Sequence, residues 1–281
     1  MGVHTDGRAQ VRPAPALLDG RHVLVTGVLT PKSIAYAIAD ACQRAGARTV
    51  LTSFGRAMSL TRRSAQRLDP APEVLEMDVT DAAQVRAVAD QVRASWGGVD
   101  AVVHAVGFAP ADCLGGGFLD APWESVAMAL QVSSYSLRTL AAEFVPLMPA
   151  TGGSVVTLTF DASVAWPAYD WMGPAKAALE SIVRYLARDL GPRHVRVNAL
   201  SAGPLETMAA KSIPGFQGLK DSWQLQAPLG WDSQDPAPVA DACLFLMSDL
   251  ARGITGEVLH VDGGFHSQGA PATRVAEATT T

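Results

Sequence analysis

Cysteine is scarce in this chain of 281 residues: Cys42, Cys113 and Cys243 are odd in number, far apart, and without a CxxC pair or a histidine at metal-ligand spacing. Such a set supports neither a disulfide framework nor a metal site, and reads as three reduced thiols of a cytoplasmic protein, packed in core or loop. An excess of positive charge is missing too. The 22 basic and 27 acidic residues leave a formal charge of −5 and a pI near 5.6, which provides no footprint for a phosphate backbone and argues against nucleic acid as a partner. The longest uncharged stretch, between Glu143 and Asp161, is broken by Pro146, Pro149, Gly152 and Gly153, so no membrane-spanning segment is expected. Residues 1–16 hold Asp6, Arg8, Arg12 and two prolines but no apolar centre, which reads as a disordered leader rather than a signal peptide. The Ala/Thr-rich residues 269–281 read as a flexible tail,.

What is present has the balance of a globular protein: 48% hydrophobic side chains, 25 glycines and 18 prolines,. Residues 17–268 are long enough for one α/β domain with a sizeable core,. Short β-branched runs alternate with segments of helical period, the form of repeated βαβ units and a parallel sheet. Strands are expected at Arg21 to Thr26, Arg48 to Thr52, Glu73 to Met77, Ala101 to His104, Ser154 to Leu158, Val195 to Ala199 and Val258 to Val261, about seven in all. Several are continuously apolar, as strands covered on both faces should be. Asp81 heads a capping pattern before Val85, Val88, Ala89 and Val92,. The fold class is therefore a single doubly wound domain, parallel strands flanked by helices. After the sixth strand the rhythm is interrupted from Leu205 to Gly230 by an apolar, irregular insertion, a candidate substrate lid,.

In such folds ligands bind beyond the carboxyl ends of the strands. The first such turn carries Gly27, suited to a tight bend, and Ser33 at the mouth of the next helix, where a hydroxyl and free N–H groups can hold a pyrophosphate,. It is not GxGxxG, and an ordinary turn with Ser33 as N-cap would look the same. Phe54 follows the second strand where an acidic residue would more often meet a ribose; its ring suits adenine, or simply a core,. Asp78 and Val79 end the third strand, and the carboxylate has either an adenine amino group to accept from or the helix at Asp81 to cap. Gly107 permits close backbone approach after the fourth, while His104 reads as a packed strand residue,.

The richest stretch lies after the fifth strand. Tyr169 and Lys176 are seven positions apart and would share one face of a helix,. A phenol bonded to a substrate carbonyl, with an ammonium nearby, can stabilise an enolate formed by hydride delivery. A surface tyrosine and a solvated lysine would have the same spacing.

With these stretches in order, from about Leu17 to Gly269, the chain resembles the short-chain dehydrogenase/reductase superfamily and, within it, NADH-dependent enoyl-acyl-carrier-protein reductases of the actinobacterial type. The resemblance rests on Thr26-Gly27 with Ser33-Ile34-Ala35, Asp78-Val79, His104 to Phe108, Pro167-Ala-Tyr169-Asp-Trp171-Met172 with Lys176, Ala202-Gly203-Pro204, Ala227 to Trp231, and Val261-Asp262-Gly263-Gly264. Commoner members of the superfamily carry Tyr-x-x-x-Lys, but four residues after Tyr169 stands Gly173.

The resemblance implies a Rossmann-like fold and NADH-dependent reduction of the carbon-carbon double bond of trans-2-enoyl thioesters, carried on acyl-carrier protein or coenzyme A. It implies Tyr169, Lys176 and Phe160 as the catalytic set, Phe160 standing where other subgroups carry a second tyrosine. Gly27, Ser33 and Ile34 would hold the pyrophosphate, and Phe54, Asp78 and Val79 the adenine. Val106, Gly107, Leu205 and Thr207 would border the remainder of the cofactor, with Lys176 on its ribose. Met172, Met208 and Ile213 would join Tyr169 in lining the acyl pocket. Phe54 favours NADH, and Arg56 keeps NADPH open. A homotetramer is also implied. One departure stands out: Glu206 occupies a place where family members commonly carry Arg or Lys, and a carboxylate there would repel the pyrophosphate or the phosphopantetheine entrance. A diverged reductase acting on a specialised polyketide, activated alkene or carbonyl is the alternative, and a non-catalytic NAD-binding protein a third reading.

Overall fold

The computed structural model describes residues 17–270; the leader expected at 1–16 and nearly all of the expected tail lie outside them. Seven strands form one parallel sheet: β1 (His22–Thr26), β2 (Arg48–Ser53), β3 (Glu73–Glu76), β4 (Ala101–His104), β5 (Gly153–Thr159), β6 (Val195–Ala202) and β7 (Val258–Val261). Their order is β3-β2-β1-β4-β5-β6-β7. All seven expected strands form, with β5 and β6 extended further toward their carboxyl ends than the apolar pattern indicates.

Alternate strand residues face opposite layers. Val23 and Val25 of β1, with Val103 and Val156, pack under α1 (Ile34–Arg44) and α9 (Ala237–Met247) through Ile38, Cys42, Val239 and Cys243, and α2 (Met58–Ala65) adds Ala65 to the same layer. Leu24, Val102, Val155 and Val197 face the other way, against α3 (Ala82–Trp96), α5 (Ser136–Phe144) and α6 (Met172–Leu190) through Val88, Leu140, Phe144 and Val183. Each such side chain removed from water contributes roughly 1.5–3 kcal/mol. All three cysteines are free and buried. Asp81 caps α3 as its pattern indicates, accepting from the N–H groups of Ala83 and Gln84. No helix among the described residues is long and apolar enough to cross a membrane.

Strand order reverses between β1 and β4, so the loops leaving these neighbours diverge and open a crevice. Two further features shape it. A helix after β4, α4 (Trp123–Leu130), runs into α5 through a π-turn over Gln131–Tyr135. The insertion after β6 is helical rather than irregular: it forms α7 (Met208–Lys211) and α8 (Phe216–Gln226), the latter burying Leu219 and Trp223 one turn apart.

Candidate active site

The turn after β1 is pressed against the turn after β4. Gly27 has φ +82°, and a Cβ there would stand 2.0 Å from the carbonyl oxygen of Ala105, so only glycine lets the two loops meet,. Thr26 ties them together, its hydroxyl donating to the Val103 carbonyl and accepting from the Ala105 N–H. Ser33 does not cap α1 through its side chain; its Oγ accepts from the N–H groups of Leu29 and Thr30 and shapes the loop. At the start of α1 the Ser33 carbonyl accepts from the N–H groups of Tyr36 and Ala37, which leaves those of Ile34 and Ala35 without a helical carbonyl at the positive end of the helix dipole,.

At the end of β2 the ring of Phe54 is 51% exposed, which removes the core reading and leaves an open aromatic face. Val79 is buried, and Asp78 accepts from the N–H and hydroxyl of Thr80 through one carboxylate oxygen. One acidic residue here escaped the sequence reading. Glu76 accepts from the Gly55 N–H at 3.1 Å and so places a carboxylate beside the end of β2.

Tyr169 and Lys176 differ from the expectation of a shared helical face. Lys176 lies in the second turn of α6, but Tyr169 precedes the helix in a turn. Its neighbours Ala168 and Asp170 have φ of 58° and 39°, left-handed conformations that cost about 1–3 kcal/mol each in a non-glycine residue,. The loop after β4 holds this strained turn. Gly115 donates to the Ala168 carbonyl, Gly116 to the Asp170 carboxylate, and the Trp171 N–H to the Cys113 carbonyl, while Phe118 stacks on Trp171 at 4.7 Å. The contacts needed to bend the backbone thus come from residues some fifty positions away.

Tyr169 is buried, and burial pushes its phenol pKa up, so it stays protonated,. The Lys176 ammonium donates to the Leu158 carbonyl at 2.9 Å, and burial pulls its pKa down to about 8 against a smaller upward effect of Glu180. Glu180, held by the Thr159 hydroxyl, is a second residue the sequence reading missed. A Cβ at Gly107 would stand 3.6 Å from Lys176 Nζ and 3.3 Å from Met172 Cε, which brings these three together. Ser133 of the π-turn fixes that loop by donating to the Phe108 carbonyl and accepting from its N–H. His104 is fully buried between the hydroxyls of Thr157 and Ser136, and burial lowers its pKa to about 3, the state of a neutral packing residue.

Phe160 leaves β5 and meets the Tyr169 ring edge-on at 5.3 Å. Leu205 is buried and Val106 packs against the core, whereas Thr207 caps α7, accepting from the Ala210 N–H. Beyond it Ile213 is half-buried and Met208 is 53% exposed at the head of α7. The insertion does fold across the site: Pro214 reaches Gly115, and Gly215 lies by Ala168. Glu206 is not the uncompensated carboxylate expected. It is ion-paired with Lys220 of α8 and accepts weakly from the Ser233 hydroxyl, which holds its carboxyl below the usual range.

The arrangement sets the loops of the strand-order reversal beside a neutral phenol and a buried ammonium. A family model described as enoyl-(acyl carrier protein) reductase matches residues 27–266. Over 266 residues, the chain is 41% identical to an NADH enoyl-acyl-carrier-protein reductase of Mycolicibacterium smegmatis, covering 90% of this chain and 98% of that one. It is 41% identical to a like-named protein of Rhizobium meliloti, covering 92% and 95%, and 38% identical to one of Bacillus subtilis, covering 89% and 97%.

Proposed function

The chain belongs to the enoyl-acyl-carrier-protein reductase family of short-chain dehydrogenases/reductases, and we propose that it reduces the carbon-carbon double bond of trans-2-enoyl thioesters with NADH. The observation that carries this reading is that a buried neutral phenol, Tyr169, and a buried ammonium, Lys176, are both held against the loop after β4, the first through Gly115 and Gly116 on its flanking residues and the second beside Gly107.

The residues lining the crevice fit a dinucleotide. Gly27 lets the turn after β1 close on the loop after β4, and beside Ser33 the start of α1 offers the N–H groups of Ile34 and Ala35 to a pyrophosphate,. Phe54 offers a face to adenine beside Asp78 and Val79; Val106, Gly107, Leu205 and Thr207 border the rest. Glu76 favours NADH, since its carboxylate at the end of β2 would repel a 2′-phosphate,.

NADH, when bound, supplies the hydride that reaches the β-carbon of the enoyl group. Tyr169 donates its hydroxyl to the thioester carbonyl, holding the negative charge that develops on that oxygen. Phe160, edge-on to the phenol, keeps its ring in place,. Lys176 holds the cofactor ribose and adds positive charge to the site. Met172 lines the start of the acyl path, with Ile213 and Met208 reaching it from the insertion. Saturation is complete when the α-carbon takes a proton.

Residues 17–268 act as one catalytic domain on a thioester of acyl-carrier protein or coenzyme A, in the cytoplasm. A homotetramer is supported by a surface groove between the π-turn, α5 and α6, where Tyr135 and Tyr185 are exposed above half-buried Ile182 and Leu186. The testing experiment is NADH oxidation by the purified chain with trans-2-enoyl thioesters beside Tyr169→Phe and Lys176→Ala. Turnover falling about 100-fold or more in Lys176→Ala is expected; saturable NADH binding without turnover of any enoyl thioester would sink the proposal.

A further inference from the structure

The chemistry above gives no task to Glu180, a half-buried carboxylate on α6. It follows Lys176 by four residues, so the two side chains stand one turn apart on the same helical face,. Both are tied to the last two residues of β5. The Lys176 ammonium donates to the Leu158 carbonyl, and the Thr159 hydroxyl donates to the Glu180 carboxylate, each at 2.9 Å. The sheet sets this up. Val155, Thr157 and Thr159 alternate along β5 toward the layer that holds α6, and as the strand ends its apolar pattern gives way to hydroxyls,. Thr157 meets His104, and Thr159 meets Glu180.

Lys176 is 6% exposed, and a cation so far removed from water needs compensating charge,. Tyr169 cannot give it, because burial keeps the phenol protonated. His104 of β4 feels the ammonium and is itself neutral. Glu180 is the carboxylate whose charge acts on Lys176, against the larger effect of burial. Two further charges reach Glu180: Arg184, exposed and one more turn along α6, offsets it, and Asp161, in the segment leaving β5, adds to it. Holding Glu180 out of water has a cost, since burial pushes its own pKa up, and the Thr159 hydroxyl works against that shift while fixing the carboxylate in place,.

We propose that Glu180 is a positioning residue: fixed by Thr159, it supplies the negative charge that the buried Lys176 ammonium needs in order to stay a cation and hold the cofactor ribose. This rests on the enoyl-thioester reading for the role of Lys176 and adds a residue to it. Glu180 acts through Lys176 and not on the substrate. Its removal therefore changes the pH at which Lys176 gives up its proton, a property that packing alone does not set.

The test reads Lys176 with and without cofactor in the full chain. Glu180→Gln keeps an acceptor for Thr159 and removes the charge. Without cofactor, denaturant unfolding from roughly pH 7 to 9.5 should show the rise of stability with pH beginning at least about 0.5 pH lower than in wild type, because the folded chain then releases the Lys176 proton earlier. In steady-state NADH oxidation with trans-2-octenoyl-coenzyme A, the alkaline limb of kcat/KM for NADH should move the same way. Glu180→Asp, which retains a carboxylate, should keep both within about 0.2 pH of wild type. Glu180→Ala, at a helix position that alanine suits, should repeat the shift and decides the matter if Glu180→Gln does not fold. A Glu180 that only packs would lower stability at every pH and leave the onset and the limb in place. That result in the variants without the charge, or a Glu180→Asp that moves as far as Glu180→Gln, overturns the positioning role and leaves the reductase standing. A wild-type chain that turns over no enoyl thioester overturns the reductase reading, and the unfolding profile still decides whether Glu180 holds the charge of Lys176.

Discussion

The ammonium of Lys176 donates to the carbonyl oxygen of Leu158 at 2.9 Å, a helix side chain anchored on the neighbouring strand. Burial pulls its pKa down to about 8. The folded state therefore releases this proton at lower pH than the unfolded chain does, and between about pH 8 and the ordinary lysine range the unfolded chain holds more protons. Stability must rise with pH across that window, the penalty of burying the charge being fully felt below it. Denaturant unfolding should show a gain of about 2 kcal/mol between roughly pH 8 and 9.5, before tyrosines ionise, relative to Lys176→Met. Parallel profiles for the two proteins would mean that Lys176 does not titrate there.

Gly27→Ala should be among the most damaging single changes outside the core. Its Cβ would stand 2.0 Å from the Ala105 carbonyl oxygen in a left-handed backbone, so both loops at the strand-order reversal must move. A loss of about 3 kcal/mol or more is expected, together with loss of NADH binding measured by fluorescence titration. A melting temperature within about 2 °C of wild type with NADH binding intact would show that the loops separate at little cost.

The Glu206–Lys220 pair joins the exit of β6 to helix α8, and both side chains are mostly buried, at 21% and 15% exposure. A pair in that setting acts as a latch on the insertion. Glu206→Gln and Lys220→Met should each raise the KM for the enoyl thioester a few-fold, and the double variant should be no worse than the poorer single one. Effects that simply add would show that the two act separately.

The sheet was legible because its signal is local. A strand buried on both faces must be apolar throughout, as in Val23-Leu-Val25 or Ala101-Val-Val103, and each run is bounded by turn residues,. The N-cap at Asp81 is local in the same sense, its partners lying two and three residues away. Helix α8 was hidden because glycine, proline and aromatics surround it. Its buried face, Leu219 and Trp223, finds its cover in Trp166 and Phe265 rather than in its own period. Glu206 read as a repulsive charge because its partner is 14 residues on, past one helix and into the next.

From its residue order alone this chain determined a parallel α/β sheet and the loops that leave its carboxyl ends, since hydrophobic period and turn residues are properties of neighbours along the chain. Only the tertiary structure decided that Tyr169 stands outside the helix, that Glu206 is paired with Lys220, and that Phe160, Trp166, Trp223 and Phe265 pack together beside Tyr169. Each of these depends on contacts between distant segments: Gly115 and Gly116 on the strained turn, Lys220 on Glu206, Phe265 on Trp223. Such contacts exist only once the sheet has brought those segments to one end, and no spacing within a single segment encodes them.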